Sequence, residues 1–243
     1  MQTSNPVFRN DPFGAAAGSS GDVMTIGGTV GKTVILLVLA LATGTVSWML
    51  TSQSPNVFPI ALGAAFVGFL VALLTSFKPQ WSMVLAPIYA LLQGAFVGAI
   101  SAFFNARYPG IALAAAGGTA ATLSGLLFAY QIGLIRATDT FKRVVISATI
   151  GIAIFYVVMM VLRMFGVEMP AINGSGLLGI GFSVFVVIIA ALNLILDFDV
   201  IEQGAQNGAP KYMEWYGAFA LMVTLIWLYL EILRLLAKIM GRR

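Results

Sequence analysis

Apolar residues run along this chain in seven long blocks rather than alternating with polar ones. They fall at about 33–50, 57–77, 82–104, 110–132, 144–165, 176–196 and 215–240. Each is close to the roughly 20 residues that an α-helix needs to cross a bilayer. Short polar or turn-forming connections separate them, such as SPN, FKPQW, NARYPG, RATDTFKR and GVEMPAINGSG. Backbone groups inside lipid must satisfy one another, so all seven blocks are predicted to be helices. The expected fold is an all-α integral membrane protein, a bundle of seven transmembrane helices.

Composition points the same way. The chain is 60% hydrophobic and 9% charged, where a soluble domain carries about 25% charged residues. The formal net charge is +4 and scattered, with no basic stripe interleaved with aromatics. The partner expected from this balance is the lipid bilayer, not nucleic acid. Cysteine and histidine are both absent. That excludes zinc sites built on them, HExxH metalloprotease chemistry and a Ser–His catalytic pair. No enzyme activity is expected.

Two divisions follow. Residues 1–32 form a polar, Gly/Ser/Pro-containing tail, expected to be disordered and cytoplasmic and not to serve as a signal peptide. Residues 33–243 form the membrane domain. Lysine and arginine counts place the N-terminus inside: Arg9, Lys32, Lys78, Arg136, Lys142, Arg143 and Lys211 face one side, against Arg107 and Arg163 on the other. The C-terminal cluster of Arg234, Lys238, Arg242 and Arg243 opposes this count if the seventh helix crosses fully. A full crossing is expected, with a re-entrant last helix as the alternative.

Small residues recur every four positions in the third block, at Ala90, Gly94, Gly98 and Ala102, as a surface for close helix approach. Pro87 lies in that helix's first turns, where it can bend the axis. Gln93, Gln131 and Asn193 are expected to form interhelical hydrogen bonds.

The candidate chemistry lies in three acids. Asp11, Asp22, Asp139 and Glu168 read as solvated charges. Asp197 and Asp199 sit where the sixth apolar block ends, and Glu231 lies deep in the seventh. A charge at mid-bilayer costs about 2.5–3.5 kcal/mol on insertion scales, which makes Glu231 a functional candidate. Asn193 and Asp197 are four apart and share a helix face, while Asp199 turns away. Two readings stand side by side. In one, Glu231 pairs with Arg234 on its own helix and the aspartates are solvated. In the other, Asp197 and Glu231 meet inside the bundle and share protons or a cation. Two carboxylates in a desolvated site cannot both ionise without a compensating cation. Such a pair, with Asn193 nearby, offers part of a Ca²⁺ shell.

At these residues the chain resembles the Bax inhibitor-1 family, and particularly its bacterial members. The resemblance rests on seven helices after a polar tail, on Asp197-Phe198-Asp199-Val200-Ile201, and on Leu228-Tyr229-Leu230-Glu231 followed by ILRLLAKI. It implies a pH-sensitive calcium leak in a bacterial plasma membrane, controlled by acids on the sixth and seventh helices, with the last helix central. Calcium and protons would be the transported ions, with no resident cofactor. The second acid is Glu231 where the family usually has aspartate. No charged residue lies in 57–77 to latch a carboxylate, which leaves Arg234 for that role. A proton-coupled secondary transporter and a non-transporting membrane regulator or scaffold are the alternative functions.

Overall fold

The computed structural model describes residues 23–54, 57–166 and 174–242. Among the described residues seven α-helices follow one another: α1 (Ile26–Gln53), α2 (Val57–Phe77), α3 (Ser82–Arg107), α4 (Ile111–Gln131), α5 (Asp139–Met164), α6 (Leu177–Gln206) and α7 (Met213–Met240). All seven are long and apolar enough to cross a membrane. A 3₁₀ turn, Pro79–Trp81, leads into α3.

Several boundaries differ from the apolar blocks, each for a local reason. Helix α1 starts at Ile26, inside the stretch expected to be tail, because Thr25 caps it: its hydroxyl accepts from Gly28 N–H at 2.9 Å. The remaining tail, residues 1–22, lies outside the described residues, as does Glu168. Helix α6 continues to Gln206, well past the end of its apolar block. At about 1.5 Å per residue its 30 residues span about 45 Å, more than the roughly 30 Å hydrocarbon layer. Asp197, Asp199 and Glu202 are therefore helical residues, not loop residues. Helix α5 is capped by Thr138, with Asp139 in its first turn, where the helix dipole favours an acid.

Helix α7 is the centre. It packs on α1, α3, α4 and α6, and its buried residues include Ala218, Leu221, Met222, Leu225, Leu228 and Leu233. Helix α1 lies on α3, α2 flanks α3, and α5 flanks α6. Outward-facing Leu, Ile, Val and Phe on α1, α2 and α5 form the lipid-facing surface. In water such a surface would far exceed the few hundred Å² that a soluble monomer exposes.

The small-residue stripe of α3 has α1 as its partner. Gly94 stands against Ala40 and Thr43, and Gly98 stands against the backbone of Gly44. Helix α3 runs through Pro87 as one helix. Both ends of α7 are fixed. At its start, Ser82 Oγ donates to Tyr212 O at 3.1 Å, and Met24 N–H donates to Ala209 O at 2.7 Å. At its end, Lys238 Nζ donates to Gly179 O at 3.0 Å, beside the first turn of α6. Helix α7 therefore runs unbroken from one end of the bundle to the other.

Candidate functional site

Helix α6 turns its polar side chains toward three different neighbours. Asn193 Nδ2 donates to Thr149 Oγ1 of α5 at 2.8 Å and to Ile189 O of its own helix at 2.8 Å. Asp199 pairs with Lys142 of α5 at 2.5 Å and accepts from Gln203 at 2.7 Å. Glu202 accepts from Tyr130 Oη of α4 at 2.5 Å and from Gln206 at 3.1 Å. Asp197 turns toward α7, where the Thr224 side chain is its polar neighbour. Its Oδ2 is buried and has no hydrogen-bond partner among the described residues. A buried carboxylate oxygen left without a donor costs more than about 1–3 kcal/mol, so it stands out against an otherwise satisfied helix.

Glu231 lies elsewhere. It is 2% exposed. Arg234 Nη1 donates to both of its oxygens, at 2.9 and 3.0 Å, Tyr156 Oη donates at 3.0 Å, and Trp227 Nε1 donates at 3.3 Å. Arg234 also donates to Tyr156 Oη at 2.7 Å and stacks over that ring. The result is a closed cluster of α5 and α7 side chains, with Glu231 neutralised from its own helix.

The structure does not bring Asp197 and Glu231 together. Thr224, beside Asp197, precedes Glu231 by seven residues on α7, which places the two acids about 10 Å apart along its axis. The shared cation site expected between them is not assembled. Among the described residues, no group of three or more acidic side chains stands ready to hold a metal. Asn193 also faces α5 rather than supporting Asp197. Arg234 does sit on Glu231, as the same-helix reading anticipates.

One buried acid escaped the sequence reading. Glu214, in the first turn of α7, is completely buried. It pairs with Lys32 of α1 and with Lys211 at 3.1 Å, and it accepts from Thr25 N–H and Thr25 Oγ1, both at 2.9 Å. A side chain at position 28 would run into this carboxylate, and Gly28 leaves room for it. Next to it, Val23 bridges Pro210 and Met24 is buried against Phe198, Ile201 and Leu221. The short polar stretch between α6 and α7 concealed Glu214. The available signal was its i,i+3 spacing from Lys211 at a helix start.

A central helix ringed by apolar helices, with carboxylates held at two depths along it, defines a multi-span helical membrane protein. The profile of the family described as Bax inhibitor 1 like matches residues 5–241, nearly the whole chain. The chain belongs to that family. No curated protein matches it.

Proposed function

We propose that the protein is a pH-sensitive cation leak, with Ca²⁺ as its cargo, in which Asp197 carries the protonation-dependent step. The observation behind this reading is the buried Oδ2 of Asp197, which has no hydrogen-bond partner among the described residues, on a side chain turned toward the central helix. An ionised carboxylate there attracts a cation, and a protonated one does not. Glu231, closed in by Arg234, Tyr156 and Trp227, acts as a second acid nearer the opposite end. A cation then passes two separate acids in turn instead of one shared pair. The setting is a bacterial plasma membrane, with the N-terminus on the cytoplasmic side as the basic residues imply.

The test is dye-detected Ca²⁺ flux in proteoliposomes between pH 5 and 8. The amide in Asp197→Asn mimics the protonated acid. Its flux is expected to stay at the wild-type low-pH value throughout the range. Glu231→Gln is expected to change the rate but keep the pH dependence. Equal flux in wild type and both variants, or a pH dependence that survives Asp197→Asn, overturns the proposal.

A further inference from the structure

Between α1 and α4 the bundle is not closed. Two grooves, of about 770 and 700 Å³, lie end to end there and share Leu37, Leu123 and Leu225. Helix α1 packs on α3 and α7, and α4 packs on α7 and α6. The floor of the slot is α6 and α7 in the first groove and α3 and α7 in the second, and its sides are mostly apolar. From Gln131 to Ala112 on the α4 wall the rise is about 28 Å, close to the whole of the roughly 30 Å hydrocarbon layer, and the groove at the polar end covers about 12 Å of it, from Gln131 to Leu123. A lipid tail entering at the polar end fits within that length.

The polar end of the slot carries two opposite charges that do not meet. Arg136, exposed on the α4–α5 loop, has no acidic partner among the described residues. Glu202, across the same groove, takes hydrogen bonds among the described residues only from neutral groups, Tyr130 and Gln206. The nearby Asp199 is neutralised by Lys142. An unpaired guanidinium matches a phosphodiester, and an unpaired carboxylate matches an ammonium that still carries N–H donors.

We infer that this slot is a binding site for one phospholipid with a primary-amine headgroup, its phosphate on Arg136, its ammonium on Glu202 and a tail along Leu127, Leu123 and Leu37. A quaternary ammonium has no N–H to give Glu202, and a glycerol headgroup has no positive charge, so the site ranks these lipids lower. The inference stands apart from ion flux.

The full chain, purified in detergent and stripped of lipid, is titrated with phosphatidylethanolamine, phosphatidylcholine and phosphatidylglycerol of identical chains. Bound lipid is read by native mass spectrometry. The amine lipid is expected to bind about tenfold tighter than the other two, the value of one charge-assisted contact. Arg136→Ala is expected to weaken all three lipids, since each carries the phosphodiester. Glu202→Gln is expected to remove only the preference for phosphatidylethanolamine. Arg136→Lys, which keeps the charge, restores most of the binding lost in Arg136→Ala. Arg136 is exposed on a loop, so its variants remain informative if Glu202→Gln does not fold. Binding of all three lipids within twofold in wild type overturns the site. So does a preference that survives Glu202→Gln, or phosphatidylethanolamine binding that Arg136→Ala leaves unchanged.

Discussion

Single residues decide how the buried charges are tolerated. Glu214 is the most completely enclosed of them, and its carboxylate is held by Lys32, Lys211 and Thr25. Lys211 is half exposed, so Lys32 supplies the better-shielded share of the neutralising charge. Removing one partner of a buried ion pair costs about 3–5 kcal/mol, because the other charge is stranded. Lys32→Met is therefore expected to lower stability by about 3 kcal/mol, read as a fall in the thermal midpoint of the purified protein. Lys32→Met combined with Glu214→Leu is expected to be more stable than Lys32→Met alone, since no stranded charge remains. A double variant worse than the single would show that the network supplies shape rather than charge balance. The sequence made Glu231 conspicuous because its neighbours are apolar, and the structure confirms its burial. Glu214 was hidden because it follows a polar stretch and its chief partner lies at the far end of the chain. The expected contact between Asp197 and Glu231 relied on shared chemistry, whereas depth along α7 separates them. Periodicity reports which face a residue occupies, not how far along a partner helix it falls.

At the scale of elements, close approach of two backbones replaces the hydrophobic drive that lipid removes. Helices α1 and α3 touch at Gly44, Gly94 and Gly98. A Cβ built on Gly44 would already sit 3.2 Å from Gly94 O, and one on Gly98 would meet the Gly44 backbone directly. Gly98→Ala then forces the two helices apart, at a cost of about 1–3 kcal/mol for overpacking. Gly125 of α4 is the control, because a Cβ there has open space. Gly125→Ala is expected to be neutral, or to stabilise by about 0.5–1 kcal/mol through the higher helix propensity of alanine. Denaturation midpoints of the two variants check the contrast, and equal losses would contradict it. The stripe on α3 was legible because it repeats every four residues. Its partner was not, because Gly44 belongs to no comparable repeat. Helix ends were the least legible part, since α1 gained its first turn from a single threonine cap and α6 ran on through polar residues once Tyr130 and Lys142 satisfied them.

For the molecule as a whole, seven helices and their order followed from the lengths of the apolar blocks. The path of the last helix needed the structure. Counting lysines and arginines put the C-terminal cluster at odds with the earlier loops. Two members of that cluster have partners within the bundle. Arg234 is committed to Glu231 and Tyr156, and Lys238 to the carbonyl of Gly179. Lys238, partly buried, is not free to stay in water, and Arg234, though exposed, is tied to Glu231, so these two should weigh less in the positive-inside balance than free loop charges. Helix α7 then begins beside Thr25 and Ser82 and ends beside Tyr108 and Ser175, at opposite ends of the bundle. Because the chain has no cysteine, a single introduced one reports its own side without background. Asn207→Cys, at the exposed end of α6, and Arg242→Cys, just past α7, are expected to react with a membrane-impermeant maleimide from opposite faces of sealed vesicles. Labelling of both from one face would require α7 to turn back within the membrane and would undo the central place given to it. Labelling of Asn207→Cys from the cytoplasmic face also fixes the side on which Arg136 and Glu202 meet lipid, and so the leaflet that supplies it.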